Sequence, residues 1–555
     1  MQNATQEIEI TKLINEKKFQ AASVLSERLP TSHPLRLAAK GLESLHIKCD
    51  YDAACANLRR ANKQHPRNVF IVVALAEALT QSGKVSKASE LIKNTLKILP
   101  NNPVLEVQLA FSLAREGTYA RAIDTLTVSV NSDRASHVGA LAFLHFNQDE
   151  FDRAKELYQL LTLKNPTDAE AFFNLGASHL RLKEHVKAEI ALKESQRLGC
   201  KRPELLSHLG IALEEQNKPK EASKYLIQAI DLAGPGRAVD ATYHLSLIYL
   251  RTGKLKQGFD LYDARFFRSG KRTHNPPKNI PWWDGQTYSG KLILWSEQGI
   301  GDHVLYTRTF EQLSDCFEGS VECFADARLL HILSANYPGI NFLSQQDPDW
   351  SRYDFHLPTG SIPRILLARD QKPQWLAPKT IDRDGWLSRF VNSRELSRPL
   401  RIGISWFSSN TELPGKNIEP HELAKILNSL NRPIQLVNLQ YDQKEADLQA
   451  ISELTNQNIE RWDAENKLDI DGLYETIKGL DLVISVSNTN VHLAGLANVP
   501  TIMLASKYSG RLWYWEQLDD HGNSRWYPSV KVAVQKTEGH WSSTAPKISE
   551  IINDQ

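Results

Sequence analysis

The chain has 555 residues, too many for one hydrophobic core and enough for three or four units. Its 41% hydrophobic and 24% charged residues describe an ordinary globular protein, and 66 Lys plus Arg against 65 Asp plus Glu leave a net charge of +1. That balance argues against a dominant nucleic-acid-binding role.

The N-terminal half is periodic. Tyr51-x-x-Ala54, Val85-x-x-Ala88, Tyr119-x-x-Ala122, Phe151-x-x-Ala154, His185-x-x-Ala188, Pro219-x-x-Ala222 and Leu255-x-x-Gly258 follow one another at 34, 34, 32, 34, 34 and 36 positions. Four residues after each comes a bulky apolar residue: Leu58, Ile92, Leu126, Tyr158, Leu192, Leu226 or Tyr262. Twelve residues before come small ones, as in Leu75-Ala76, Leu109-Ala110, Leu141-Ala142, Leu175-Gly176 and Leu209-Gly210. Pro66, Pro100 and Pro166 close several units, where proline cannot continue a helix. This pattern resembles the tetratricopeptide repeat and implies an all-α solenoid over residues 1–270 of seven to eight repeats, with a weaker unit at Phe19-x-x-Ala22. In that family the sixth position of each repeat faces the concave groove. Here Lys40, Ala74, Gln108, Ala140, Asn174, His208 and His244 stand there, and Gln108, Asn174, His208 and His244 are the expected acceptor-binding groove. A polar lining suits hydrogen bonding to an extended peptide, and the same residues read equally well as simply solvated.

The repeats stop after Phe266, and RSGKRTHNPPKNIPWWDGQTYSG reads as a linker. KLILWSE (291–297) is then a short apolar run of the kind found in buried parallel strands. It leads into Gln298-Gly299-Ile300-Gly301-Asp302-His303 and a helical stretch, VLYTRTFEQL. Strand, glycine turn and helix open a nucleotide-binding α/β unit, in which Gly299 and Gly301 permit close backbone approach and the helix N-terminus offers N–H groups. Further runs at 320–325 and 340–343 come next. After a boundary near 393–399 the pattern restarts with LRIGISW, IQLVNLQ and LDLVISV. The last of these emerges into Ser487-Asn488-Thr489-Asn490-Val491-His492-Leu493-Ala494-Gly495, then PTIMLA and Arg511-Leu512-Trp513-Tyr514-Trp515. The Ser, Asn and Thr side chains there suit a diphosphate or ribose, or an ordinary helix N-cap.

The order EQGIGDHVLYTR, IGISW, DLVISVSNTNVHLAG, WYW and RWYPSV is similar to the C-terminal domain of bacterial tetratricopeptide-repeat glycosyltransferases. These share motif order with heptosyltransferases and layout with O-GlcNAc transferases and flagellin glycosyltransferases. The resemblance implies a two-lobed, Rossmann-like GT-B domain, with an acceptor-side lobe at 271–395 and a donor-side lobe at 396–555. It also implies a UDP-, GDP- or CMP-linked sugar donor, no cofactor and no essential metal. Asp302 falls on the aspartate proposed as general base. Ser408 and Ser409 fall on a hydroxyl pair contacting donor phosphate, Lys416 on the residue that neutralises the diphosphate, and His492 on the histidine of an HLAG-like segment. Gly299, Gly301, Ser487, Asn488 and Thr489 complete the expected donor contacts. Heptosyltransferases carry Asp-Thr where this chain has Ser487-Asn488, so a carboxylate contact to the donor is missing.

The expected function is sugar transfer to a protein hydroxyl, with flagellin or another surface protein held in the repeat groove. The alternatives are a lipopolysaccharide or other glycan acceptor, or a repeat scaffold without catalysis. The five cysteines include no CxxC, which suits a reducing compartment. With no long apolar run, the expected location is the cytoplasm, without a membrane span.

Overall fold

The computed structural model describes residues 2–130, 134–268, 277, 279–286, 288–346, 349–369, 398–408, 414–440, 444–461, 469–507 and 512–553. The chain divides into two compact units, Met1–His208 and Leu209–Gln555.

The first unit is all helical. Its paired helices are Gln2–Asn15 with Phe19–Ser26, Pro34–His46 with Tyr51–Gln64, and Val69–Gln81 with Val85–Ile98. Pro103–Arg115 with Tyr119–Val130, Ala135–Asn147 with Phe151–Lys164, and Ala169–Arg181 with His185–Arg197 continue the series. Asp50, Asn68, Asn102 and Asp168 cap helix starts by accepting from backbone N–H groups one turn in. The repeat columns explain themselves in the packing. A Cβ on Gly41 would lie 2.6 Å from Leu58 Cγ, and one on Gly176 would lie 2.5 Å from Leu192 Cγ. The small residue of one helix thus receives the bulky residue of the next. Leu58, Ile92, Leu126 and Leu192 are wholly buried, each worth about 1.5–3 kcal/mol. Within each pair the turn contains one residue of positive φ: Lys17, Cys49, Gly83, Gly117, Asp149 and Lys183.

The second unit begins inside the helix Pro203–Glu215 and continues the same pattern through Pro219–Ala233, Val239–Arg251 and Leu255–Tyr262. A Cβ on Gly210 would meet Leu226 Cγ at 2.5 Å, and Asn217 and Gly253 take the positive-φ turn positions. These last repeats share one apolar core with the α/β part: Leu250, Phe259 and Tyr262 are buried with Trp283, Trp513 and Trp526. Part of the Gly/Pro-rich segment read as a linker is itself core. Trp283 is fully buried and its backbone N–H donates to His356 O at 3.0 Å, because two adjacent tryptophans gain more from burial than a free tether would.

The α/β part holds two all-parallel sheets. β1 (Lys291–Trp295), β2 (Ser320–Ala325), β3 (Asn341–Ser344) and β4 (Phe355–Pro358) lie in the order β3-β2-β1-β4. β5 (Leu400–Ser405), β6 (Ile434–Asn438), β7 (Ile459–Arg461), β8 (Leu482–Val486), β9 (Thr501–Ala505) and β10 (Val530–Val534) lie in the order β10-β9-β8-β5-β6-β7. β8 is buried along its whole length, as a strand covered on both faces must be. The strand order reverses between β1 and β4 in the first sheet and between β5 and β8 in the second. Crevices for ligands open at the carboxyl ends of strands at such reversals. The stretch read as one helix after the glycine turn is two, Ile300–Thr307 and Phe310–Ser314, with the buried Thr309 hydroxyl donating back to Tyr306 O at 2.6 Å between them.

Candidate functional site

The described site residues of the α/β part lie at or beyond the carboxyl ends of β1, β5 and β8, the strands at those two reversals. β1 runs into Ser296–Asp302, β5 into Trp406–Ser408, and β8 into Ser487–Asn488. Ser409 and much of the expected boundary near 393–399 lie outside the described residues.

Asp302 sits in the first turn of the helix Ile300–Thr307, whose N-cap is Gly299. The Gly299 N–H donates back to its carboxylate, and the Tyr514 hydroxyl hydrogen-bonds to it. Loss of water around the group, reinforced by the nearby Glu297 carboxylate, pushes its carboxyl up to about 6 in spite of those hydrogen bonds and the Lys416 ammonium. Gly301 has a packing reason. A Cβ there would lie 2.7 Å from His492 Cδ2, so only glycine lets this helix lie against the helix Thr489–Leu496. Gly495 has a similar reason, since its Cβ would stand 2.5 Å from Tyr527 Cγ.

Lys416 ends the short 3-10 turn Pro414–Lys416 and is only 5% exposed. Burial pulls its ammonium below the ordinary lysine range, and Asp302 acts in the opposite sense. No carboxylate lies within ion-pair distance of it among the described residues. It borders a narrow crevice with Ser487, Ser506, Leu512 and Trp515, at the carboxyl ends of β8 and β9. A buried ammonium without a carboxylate partner is a ready site for an anion.

The β8 loop is largely occupied in holding itself. Ser487 Oγ accepts from Trp515 Nε1 at 2.8 Å. Asn488 is the N-cap: its Oδ1 accepts from Asn490 N at 3.1 Å, and its Nδ2 donates to Ser405 Oγ at 2.7 Å. Thr489 opens the helix half-buried. His492 lies among aromatic rings, 5.1 Å from Trp515, 5.6 Å from Tyr514 and 5.7 Å from Tyr527, with Nδ1 3.2 Å from Tyr527 Oη. Burial and the Lys416 charge press its imidazole down to about 3, so it is neutral at any physiological pH. Ser408 is buried, its backbone N–H donating to Asn417 Oδ1 at 2.8 Å.

Of the residues expected to line the repeat groove, Gln108, Asn174 and His208 belong to the first unit and His244 to the second. Gln108 and Asn174 are half-buried in the first unit, where His208 stacks on Phe173 at 5.4 Å. His244, in the second unit, pairs through Nδ1 with Glu214 Oε2 at 2.8 Å. Phe70, Val104 and Phe143, on the first helices of their repeats, are exposed. Four residues outside the expected site set surround Asp302 or its loop: Tyr262, Arg265, Glu297 and Tyr514. Glu297 carried a local signal as the acidic residue just ahead of the glycine turn, and Tyr514 as the centre of the WYW block.

Comparison with known proteins supports the repeats. Residues 48–106, 140–199 and 208–269 match models of the tetratricopeptide repeat. The chain is 22% identical to Protein FlbA of Caulobacter vibrioides over 91% of its own length and 94% of that protein. The similarity therefore spans both the repeats and the α/β part. Among solved structures, MamA is 24% identical over 28% of this chain and 94% of that one, with a TM-score of 0.26. A tetratricopeptide repeat protein from Parabacteroides merdae is 14% identical over 44% of this chain and 98% of its own, with a TM-score of 0.35. The protein thus has an N-terminal all-helical repeat solenoid followed by parallel sheets with helices. Among its described residues no helix is long and apolar enough to cross a membrane.

Proposed function

We propose that the α/β part is a GT-B-type glycosyltransferase that moves a sugar from a nucleotide donor to a protein hydroxyl, with the repeats selecting the acceptor. The observation that carries this is the pairing of Asp302 and Lys416. A carboxylate that titrates near 6 and a buried ammonium without a carboxylate in ion-pair range come from the two sheets, close enough to shift one another. Asp302 takes the proton of the acceptor hydroxyl as its oxygen attacks the anomeric carbon. The bond from that carbon to the phosphate oxygen of the leaving nucleotide breaks, and Lys416 stabilises the negative charge that develops there. The motif order resembling repeat-bearing glycosyltransferases supports the same reading and makes flagellin or another surface protein the expected acceptor.

A glycan acceptor is the second reading. A crevice of about 570 Å³ at the carboxyl ends of β1 to β3, lined by Gln298, Asp326, Arg328, Gln345 and Gln346, favours it by offering amides and an ion pair to sugar hydroxyls. Incubation of the purified protein with UDP-, GDP- and CMP-sugars, followed by mass analysis of cell protein and of lipopolysaccharide, separates the two. Release of no nucleotide and no mass increase in either fraction would refute transferase activity.

A further inference from the structure

The last repeat reaches the glycine turn that carries Asp302. Tyr262 ends its second helix, and its hydroxyl accepts from Gln298 Nε2 at 3.1 Å. Arg265 comes next, in the 3-10 turn Asp263–Phe267, and donates to Glu297 Oε1 from Nη2 at 2.7 Å and from Nε at 3.2 Å. Its remaining contacts leave it little freedom. Nη1 donates to Asp263 Oδ1 at 2.8 Å, Nη2 to Ser361 Oγ at 2.9 Å, and the guanidinium lies 4.4 Å and 4.2 Å from the ring centres of Tyr262 and Phe266. A Cβ on Gly360 would stand 2.5 Å from Glu297 Oε1 and 3.0 Å from Arg265 Nη2, so the β4 loop closes over the pair. Glu297 and Gln298, the two residues before Gly299, are therefore each held by a side chain of the repeat stack.

We propose that the terminal repeat is a positioning element of the site: Arg265 acts through Glu297, and Tyr262 through Gln298, to fix the loop that presents Asp302 and the charge Asp302 meets. The purpose of that loop rests on the glycosyltransferase reading; the coupling itself does not. The groups that face Asp302 are Glu297 from its own loop, Tyr306 from its own helix, Tyr262 from the repeat and Lys416 after β5. Tyr514 and Tyr527, from the segments after β9, complete the set. Among these groups Glu297 is the one carboxylate, and Arg265 is a cation bonded to it. Without the guanidinium, Asp302 faces that carboxylate less screened and keeps its proton to higher pH.

The test needs no substrate. Melting temperatures of the full chain and of its Asp302→Asn form are compared from pH 4 to 9, and the difference between them titrates with Asp302. Arg265→Met should move the midpoint of that difference upward by about one pH unit. Glu297→Gln, a nearly isosteric change, should move it downward, and in that background Arg265→Met should move it no further. A purely structural role for Arg265 would lower melting at every pH and leave the midpoint in place, which would overturn the proposal. An Arg265→Met shift of equal size with and without Glu297 would also overturn it. Should Arg265→Met not fold, a Glu297→Gln midpoint equal to wild type overturns it alone. If the midpoints move as expected in a protein that releases no nucleotide from UDP-, GDP- or CMP-sugars, the coupling stands and the base role of Asp302 falls.

Discussion

Gly301→Ala tests the packing of the two α/β layers directly. The new methyl would sit 2.7 Å from His492 Cδ2 and 3.1 Å from its Nε2, where carbon–carbon contacts ordinarily begin near 3.4 Å. His492 cannot swing aside cheaply, since Trp515, Tyr514 and Tyr527 surround its ring and Tyr527 Oη holds Nδ1. The helices must part instead, and such overpacking costs about 1–3 kcal/mol. For a unit of roughly 350 residues that is a fall in melting temperature of about 1–4 °C. Calorimetry of Gly301→Ala, His492→Ala and the double variant checks it. His492→Ala alone destabilises by leaving a cavity, but combined with Gly301→Ala it should recover stability relative to the sum of the single costs. Strict additivity, or a Gly301→Ala variant that melts with wild type, would show that the glycine is not there for His492.

Asp302→Asn should lower transfer about 10²–10⁴-fold while nucleotide affinity, read by calorimetry, stays nearly constant. Its stability effect has a definite sign. A carboxyl at about 6 in the fold and near 4 when unfolded adds stability below pH 4 that is lost as the pH rises through 6. Asp302→Asn should therefore melt above wild type at pH 8 and lose that advantage towards pH 4. Lys416→Met should raise the melting temperature, because it removes a buried cation, and should weaken binding of the cognate nucleotide about ten- to a hundredfold in calorimetry. The fragment 203–555 should give a cooperative melt, whereas 271–555 should aggregate in gel filtration. The shorter piece loses Arg265 from Glu297 and the Leu250 carbonyl that accepts from Gln517 Nε2 at 2.6 Å, and it bares the face of Trp513 packed on Phe259.

The repeats were legible because their physics is local and recurs. A small residue facing a bulky one at fixed spacing is visible in the chain, and Gly176 against Leu192 is that spacing made solid. The positive-φ column was harder to see. Gly83, Gly117 and Gly253 mark it, but Lys17, Cys49, Asp149, Lys183 and Asn217 fill the same place with side chains that do not advertise it. Strands buried on both faces, such as β5 and β8, stand out as apolar runs. β4 and β7 are short, β10 alternates with a lysine, and each hides among loop residues. Trp282 and Trp283 were submerged in a segment whose Gly, Pro and basic content signals a tether, though only tertiary contact decides where an aromatic pair goes.

The site was legible only where one motif holds it. Asp302 and the glycines lie in six consecutive residues, whereas Arg265 is 32 residues from Glu297 and its neighbour Tyr262 already had a repeat position to explain it. The departure at Ser487-Asn488 looks different once its partners are known. Asn488, in the place of the threonine, spends its oxygen on the helix cap and its amide on β5, two bonds made from two separate atoms where a threonine offers one hydroxyl. Ser487 accepts the Trp515 indole with one lone pair, which leaves its own hydroxyl hydrogen able to donate. A carboxylate at that position could only accept. Beside Lys416, proposed to stabilise the leaving nucleotide, a donor adds to the attraction for an anion and a carboxylate subtracts from it. The substitution therefore does not by itself argue for a lost activity.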